Sequence, residues 1–101
     1  MIKEITSFEE FNELSKSGKV LVDVYSKTCG PCKMLGFVLA DLEKDLPDSV
    51  ILKVDFDQNK EVVEKYDVAS YPTILVLQDG EEVNRLKGLQ QKPALKQLLE
   101  A

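Results

Sequence analysis

The only two cysteines of the chain, Cys29 and Cys32, are separated by Gly30 and Pro31. They stand where an apolar, strand-like run gives way to a helix-like run, so we expect Cys29 at the N-terminus of a helix. Unpaired N–H groups and the helix dipole favour a thiolate there. Two sulfurs at this spacing can also bond to each other. The motif therefore predicts thiol–disulfide exchange, with Cys29 as the nucleophile and the more buried Cys32 as the resolving thiol.

Two other interpretations of the cysteine pair stay open. A structural zinc site needs about four ligands, whereas the chain has two cysteines and no histidine, so such a site requires a dimer that shares one metal. A structural disulfide closes so short a loop here that it constrains the unfolded chain little. We expect no metal and no bound cofactor, with the Cys29–Cys32 disulfide as the redox centre.

Length and composition predict a single globular domain spanning residues 1–101. The 101 residues are 44% hydrophobic and 31% charged, with a net charge of -5. Acidic and basic residues are interspersed without a basic stripe, so nucleic acid is not an expected partner. No apolar run approaches the ~20 residues that span a bilayer, and no signal-peptide core follows Met1. We therefore expect a cytoplasmic protein that binds neither nucleic acid nor membranes.

Hydrophobic periodicity predicts an α/β protein with the element order β-α-β-α-β-α-β-β-α. The predicted strands are residues 2–5, 20–25, 50–55, 73–77 and 81–87, and the predicted helices begin at residue 8 and end before Gly18, cover 31–45 and 61–66, and begin at Pro93. Ser7 and Glu10 have the spacing of a capping box, and Asp79-Gly80 is typical of a hairpin turn. The early strands should be parallel neighbours and the last two antiparallel. The expected architecture is a mixed five-stranded central sheet flanked by four helices.

The chain resembles the thioredoxin family over nearly its full length. The residues that carry the resemblance are Val22-Asp23-Val24-Tyr25, Cys29-Gly30-Pro31-Cys32-Lys33-Met34, Lys53-Val54-Asp55, Asp57-Gln58-Asn59, Tyr71-Pro72-Thr73, Asp79-Gly80 and Gly88. The resemblance implies the thioredoxin fold and a protein-disulfide reductase that acts as a monomer on disulfide-containing proteins. It also implies that an NADPH-dependent thioredoxin reductase re-reduces the cysteine pair.

The resemblance assigns Asp23 the role of a buried general base. Apolar neighbours on both sides in the strand indicate burial, which raises the pKa of a carboxyl and suits it to take the proton of Cys32. A surface aspartate on an edge strand is the alternative. Lys53 matches the family's lysine near this carboxylate and interrupts an apolar strand as a paired lysine does. A solvent-facing lysine is the alternative at that position.

The resemblance also implies a contact surface for substrates around the cysteines. Pro72 matches the family's cis-proline that faces them, and the backbone of Tyr71 beside it should pair with an extended substrate segment. A proline that merely starts a strand would instead leave Tyr71 as a packing residue. The predicted substrate-binding surface, called the rim below, consists of Thr28, Gly30, Pro31, Tyr71, Pro72, Gly88 and Leu89.

Three positions depart from the family pattern. Thr28 precedes the first cysteine where most thioredoxins have tryptophan, Tyr25 stands where a second tryptophan is common, and Phe37 replaces a frequent helix proline. A missing aromatic contact beside the nucleophile affects partner choice, and a helix without the proline should be straighter. Two alternatives therefore stay open: a reductase specialised for a ferredoxin-linked or glutathione-linked system, and a non-enzymatic interaction module.

Overall fold

A computed structural model describes residues 1–100, and their elements follow the predicted order. The strands are β1 (Ile2–Glu4), β2 (Lys19–Tyr25), β3 (Ile51–Asp55), β4 (Thr73–Gln78) and β5 (Glu81–Lys87). The helices are α1 (Phe8–Ser15), α2 (Gly30–Asp45), α3 (Lys60–Lys65) and α4 (Lys92–Glu100). No helix in this described part of the chain has the length and apolar character needed to cross a membrane.

Two predicted local motifs account for boundaries of these elements. The side chain of Ser7 caps α1 by accepting a hydrogen bond of 3.1 Å from the N–H of Glu10, as the capping box predicts. Asp79 and Gly80 connect β4 and β5 with positive φ angles of 54° and 86°, as a type I′ hairpin turn requires. α1 ends at Ser15, before Gly18 as predicted, and Gly18 itself has a positive φ of 77°.

The five strands form one mixed sheet in the order β1-β3-β2-β4-β5. β3 is parallel to both β1 and β2, whereas β4 is antiparallel to β2 and to β5. The predicted mixed five-stranded sheet with four helices is confirmed. The expected parallel pairing of the early strands holds for β3 with β1 and with β2, whereas β1 and β2 are not paired with each other, because β3 lies between them.

The two faces of the sheet carry separate cores, with α1 and α3 on one face and α2 and α4 on the other. Successive side chains of β2 alternate between these faces. Val22 and Val24 pack in the core with α1 and α3, whereas Leu21 packs in the core with α2 and α4. Asp23, two residues after Leu21, therefore lies on the face that α2 covers.

Candidate active site

Cys29 and Cys32 are disulfide-bonded at the N-terminus of α2, and their Cα atoms are 5.2 Å apart. Cys29 is the N-cap residue of this helix, and its Sγ accepts a hydrogen bond of 3.1 Å from the N–H of Cys32. Pro31 occupies the first turn, where its missing N–H costs no hydrogen bond. Cys29 is half-buried, whereas Cys32 is only 4% exposed. A partner can therefore reach the first sulfur, while the second is shielded beneath it.

The segment before β4 faces this disulfide. The Tyr71–Pro72 peptide bond is cis, and the carbonyl oxygen of Tyr71 lies 3.8 Å from Sγ of Cys29. The ring of Tyr71 stacks on Phe56 with the ring centroids 4.4 Å apart. Gly88 is joined to this segment because its N–H donates a hydrogen bond to the carbonyl of Pro72. Of the rim residues, the structure thus brings Tyr71 to Cys29, and it joins Gly88 to Pro72.

The remaining rim residues are placed by their neighbours along the chain. Thr28, Gly30 and Pro31 flank Cys29 and are exposed. The hydroxyl of Thr28 lies 3.2 Å from the hydroxyl of Ser26, and a hydrogen bond joins them. Leu89 follows Gly88 and is 37% exposed. Its contribution to the rim stays a prediction.

Asp23 lies in the middle of β2 and is 0% exposed. Its register partner in β4 is the apolar Ile74, and neither of its carboxylate oxygens has a hydrogen-bond partner within residues 1–100. Burial raises the pKa of Asp23 from its ordinary 3.8 to about 7, although the positive charge of Lys53 lowers it and the negative charge of Glu4 raises it further. The alternative of a surface aspartate is wrong, and the carboxyl can exchange a proton near neutral pH.

Lys53 lies opposite Asp23 in the register between β3 and β2. The lysine is half-buried, and its Nζ sits 4.9 Å from the centroid of the Tyr25 ring. The ammonium lies beneath α2 close to Gly36, since a Cβ atom added at that glycine would be 3.5 Å from this Nζ. Lys53 forms no salt bridge with any carboxylate of the described chain. It is thus neither fully solvent-facing nor bonded directly to Asp23.

An open cleft of about 400 Å³ lies alongside the disulfide. Its described lining includes three lysines and no carboxylate: Tyr25, Ser26, Lys27, Cys29, Cys32, Lys33, Gly36, Phe37 and Lys53. Phe37, which stands where the family often has proline, is 68% exposed. The surface beside the reactive sulfurs is therefore locally positive and partly aromatic, although the chain as a whole carries a net charge of -5.

Sequence reasoning missed two residues near the site, Glu4 and Phe56. The Tyr25 hydroxyl donates a hydrogen bond of 2.8 Å to Oε2 of Glu4, and Phe56 forms the stack with Tyr71. The sequence placed Glu4 in the strand predicted over residues 2–5, but its contact with Tyr25 depends on strand order. Phe56 follows β3 directly, so its position after a strand end was the only available signal.

The chemistry that this arrangement supports is sulfur exchange. It combines a reachable sulfur at a helix N-terminus, a shielded second sulfur and a buried carboxyl whose pKa is about 7. Exchange requires an attacking thiolate and a second thiol that resolves the mixed disulfide. Within residues 1–100, His, Cys, Asp and Glu side chains form no group of three or more that could hold a metal ion.

Known proteins are similar to this chain in sequence and in fold. The family model described as Thioredoxin matches residues 2–101. Thioredoxin of Chlamydia trachomatis is 44% identical over 95% of this chain and 94% of its own length, and thioredoxin of Bacillus subtilis is 42% identical over 90% and 88%. The solved structure of Plasmodium falciparum thioredoxin superposes with a TM-score of 0.86 at 38% identity, covering 97% of this chain and 96% of that one. A mutant thioredoxin from Halobacterium salinarum superposes with a TM-score of 0.89 at 35% identity, covering 98% and 88%.

The fold and the cysteine pair define a thiol–disulfide oxidoreductase. The chain belongs to the thioredoxin family, whose model covers nearly all of it. The predicted thioredoxin fold and protein-disulfide reductase activity are thereby confirmed.

Proposed function

We propose that the chain reduces protein disulfides through Cys29 as the nucleophile and Cys32 as the resolving thiol. The observation that carries this assignment is the difference in access between the two sulfurs. Cys29 is the half-buried N-cap of α2, whereas Cys32 lies inside the helix and is 4% exposed. A substrate disulfide approaches from outside the protein with its own S–S axis directed at the attacking sulfur, so it meets Cys29 first.

The position of Cys29 favours its thiolate. The N–H of Cys32 already points at Sγ of Cys29 at 3.1 Å, and the helix dipole adds positive potential at the same place. In the reduced protein this N–H stabilises the negative sulfur before substrate arrives. Lys33 in the first turn of α2 adds positive charge nearby.

The reaction proceeds in two exchanges. The Cys29 thiolate attacks one sulfur of the substrate disulfide, the substrate S–S bond breaks, and the first substrate thiolate leaves. Cys32 then loses its proton to the Asp23 carboxylate, directly or through a water molecule. Its thiolate attacks Sγ of Cys29, so that the mixed disulfide breaks and the second substrate thiolate leaves. Two electrons pass from the cysteine pair to the substrate, and Asp23 returns its proton to solvent.

The rim binds the substrate next to Cys29. The carbonyl of Tyr71, at 3.8 Å from Sγ of Cys29, is available to accept a hydrogen bond from the backbone of an extended substrate segment. Pro72 has no N–H and therefore leaves this edge open to pairing through Tyr71 alone. The other rim residues complete the proposed contact surface: the exposed Thr28, Gly30, Pro31 and Leu89 and the half-buried Gly88.

Electrons return to the disulfide from NADPH through a thioredoxin reductase. This partner, the cytoplasmic location, the monomeric state and the single domain over residues 1–101 are proposals based on family membership. Thr28 in place of tryptophan is the observation that favours a dedicated reductase system instead. A panel of NADPH-, ferredoxin- and glutathione-linked reductases distinguishes them, since efficient recycling by the NADPH-linked enzyme alone would exclude the specialised system.

Trapping of mixed disulfides tests the roles of the cysteines. Cys32→Ser leaves the nucleophile but removes the resolving thiol, so substrate proteins should remain covalently attached through Cys29. The matched variant Cys29→Ser should trap nothing, and both variants should fail to reduce insulin with dithiothreitol above background. Trapping by Cys29→Ser alone would reverse the assignment, and insulin reduction by either single variant would contradict the two-exchange mechanism.

A further inference from the structure

Three charged residues form a row across the sheet beneath α2. Glu4 of β1 is in register with Lys53 of β3, and Lys53 is in register with Asp23 of β2. The residues two positions earlier on these strands pack in, or against, the core with α2 and α4: Ile2, Ile51 and Leu21. Since side chains two residues apart share a face, the lysine stands between two carboxyls on the covered face of the sheet.

Tyr25 connects Glu4, at one end of this row, with Lys53 in its middle. Its hydroxyl donates a hydrogen bond of 2.8 Å to Oε2 of Glu4, and the Nζ of Lys53 lies 4.9 Å from the centre of its ring. An ammonium over an aromatic face is held by the ring quadrupole. The negative Glu4 beside the hydroxyl adds attraction from the same side. Together they draw the Lys53 ammonium toward the ring.

The position of Lys53 leaves Asp23 without a direct partner. Neither carboxylate oxygen of Asp23 accepts a hydrogen bond from the described chain, although Lys53 is its immediate register neighbour. A direct ion pair would strongly favour the charged carboxylate and make it a weak proton acceptor. The contact with the Tyr25 ring keeps the Lys53 ammonium close enough to Asp23 for its positive charge to act on the carboxyl. The ammonium is nevertheless too far from that carboxyl to form a hydrogen bond with it.

We propose that Glu4 and Tyr25 are positioning residues that hold the Lys53 ammonium over the Tyr25 ring and thereby keep Asp23 able to accept the proton of Cys32. The inference deepens the proposed function, because it rests on the role given there to Asp23. Glu4 is exposed and belongs to the edge strand, so it acts on the buried carboxyl through Lys53 and touches no reacting atom.

The electrostatic surroundings of Asp23 come from several elements. The charged or titratable groups that the structure places on its side of the sheet include Glu4 of β1, Tyr25 of β2, Lys53 and Asp55 of β3, and Lys33 of α2. Its register partner in β4, Ile74, is apolar. Among these groups, Lys53 lowers the proton affinity of Asp23 and Glu4 raises it.

The proposal is tested by titrating Asp23 in the whole oxidised chain and monitoring its side-chain carboxyl carbon by NMR. Glu4→Gln keeps an acceptor for the Tyr25 hydroxyl but removes the charge, and Tyr25→Phe keeps the ring but removes the hydrogen bond. Both variants should shift the Asp23 midpoint to lower pH, Glu4→Gln by about 0.5 pH unit or more. The control Glu64→Gln removes an exposed carboxylate of α3 on the opposite face and should leave the midpoint unchanged.

A double-mutant cycle with Lys53→Met separates positioning from a direct field effect. If Glu4 acts through Lys53, the shift caused by Glu4→Gln should fall to less than half in the Lys53→Met background. An equal shift in both backgrounds, or none in either, would overturn the proposal. Because the titration needs no substrate, this result is independent of disulfide reduction, and a failure of Cys32→Ser to trap substrates would count against the proposed function alone.

Discussion

The backbone N–H of Gly88 donates a hydrogen bond of 2.8 Å to the carbonyl oxygen of Pro72. This bond extends the β4–β5 ladder by one step, since Thr73 and Lys87 are the next register pair. It ties the end of β5 to the segment that carries the Tyr71 carbonyl against Cys29. Gly88 therefore supports, from outside the cysteine motif, the segment that faces Cys29.

Gly88→Ala should lower the free energy of unfolding by about 1–2 kcal/mol, the usual penalty of a left-handed conformation for a residue with a Cβ. The φ angle of Gly88 is +82°, and a Cβ added there would meet nothing within 4 Å, so the penalty is conformational and not steric. Urea denaturation monitored by circular dichroism measures the change. Gly30→Ala is the matched control, because Gly30 lies in α2 with equally open space, and it should not destabilise the protein. Equal losses in both variants would contradict this account.

Asp23→Asn should slow the resolving step near neutral pH, by about tenfold or more if Asp23 is the general base. Rapid mixing of the reduced protein with an aromatic disulfide reports the step, because a coloured thiolate leaves when Cys32 attacks the mixed disulfide. The wild-type rate should rise with pH around 7, where Asp23 loses its proton, and this rise should disappear in the variant. Asp48→Asn, which alters an exposed loop carboxylate, is the control. An unchanged pH–rate profile in Asp23→Asn would remove Asp23 from the mechanism.

The same carboxyl should make the oxidised protein lose stability as pH rises. Between its ordinary pKa of 3.8 and its folded pKa of about 7, Asp23 holds a proton in the native state that the unfolded chain has released. Asp23 therefore makes its full contribution to the free energy of unfolding below pH 3.8. This contribution falls as the pH rises from 3.8 to about 7, by up to about 4 kcal/mol in total at about 1.4 kcal/mol per pKa unit.

Asp23→Asn carries no such proton and should be more stable than the wild type at pH 8, with the difference vanishing near pH 4. Denaturation at a series of pH values measures both curves. Other carboxyls are common to both proteins and cancel in the difference. A difference that is the same at pH 4 and pH 8 would show that Asp23 is not protonated in the native state.

The lysines around the cleft should favour substrates that carry negative charge beside their disulfide. Lys27, Lys33 and Lys53 line the cleft together with both sulfurs. The reduced protein should react about threefold or more faster with oxidised glutathione, which carries carboxylates, than with the cationic disulfide cystamine, after correction for their intrinsic reactivities. Added salt should reduce this preference.

Lys33→Glu should weaken or reverse that preference, and Lys44→Glu is the matched control. Both lysines are exposed on α2 and both substitutions change the net charge equally, but Lys44 lies in the last turn of the helix, away from the cleft. Stopped-flow rates for the two small disulfides provide the comparison. The same loss in both variants would assign the effect to net charge instead of the cleft.

Much of the site follows from local sequence. The apolar run before Cys29 and the helix after it place the first sulfur at a helix N-terminus, and the structure has Cys29 as the N-cap. The apolar neighbours of Asp23 correctly predicted its burial. The predictions of the capping box and of the hairpin turn are also confirmed, because both motifs depend on residues a few positions apart.

The contacts that tune the site depend instead on strand order. β1 and β2 are separated by β3, so Glu4, Lys53 and Tyr25 come together only once three distant segments have paired. Periodicity indicates which face a side chain takes within its strand but carries no information on which strand lies beside it. A lysine near Asp23 was implied by the resemblance to the family, whereas the placement of its ammonium over Tyr25 and the link to Glu4 emerged only from the assembled sheet.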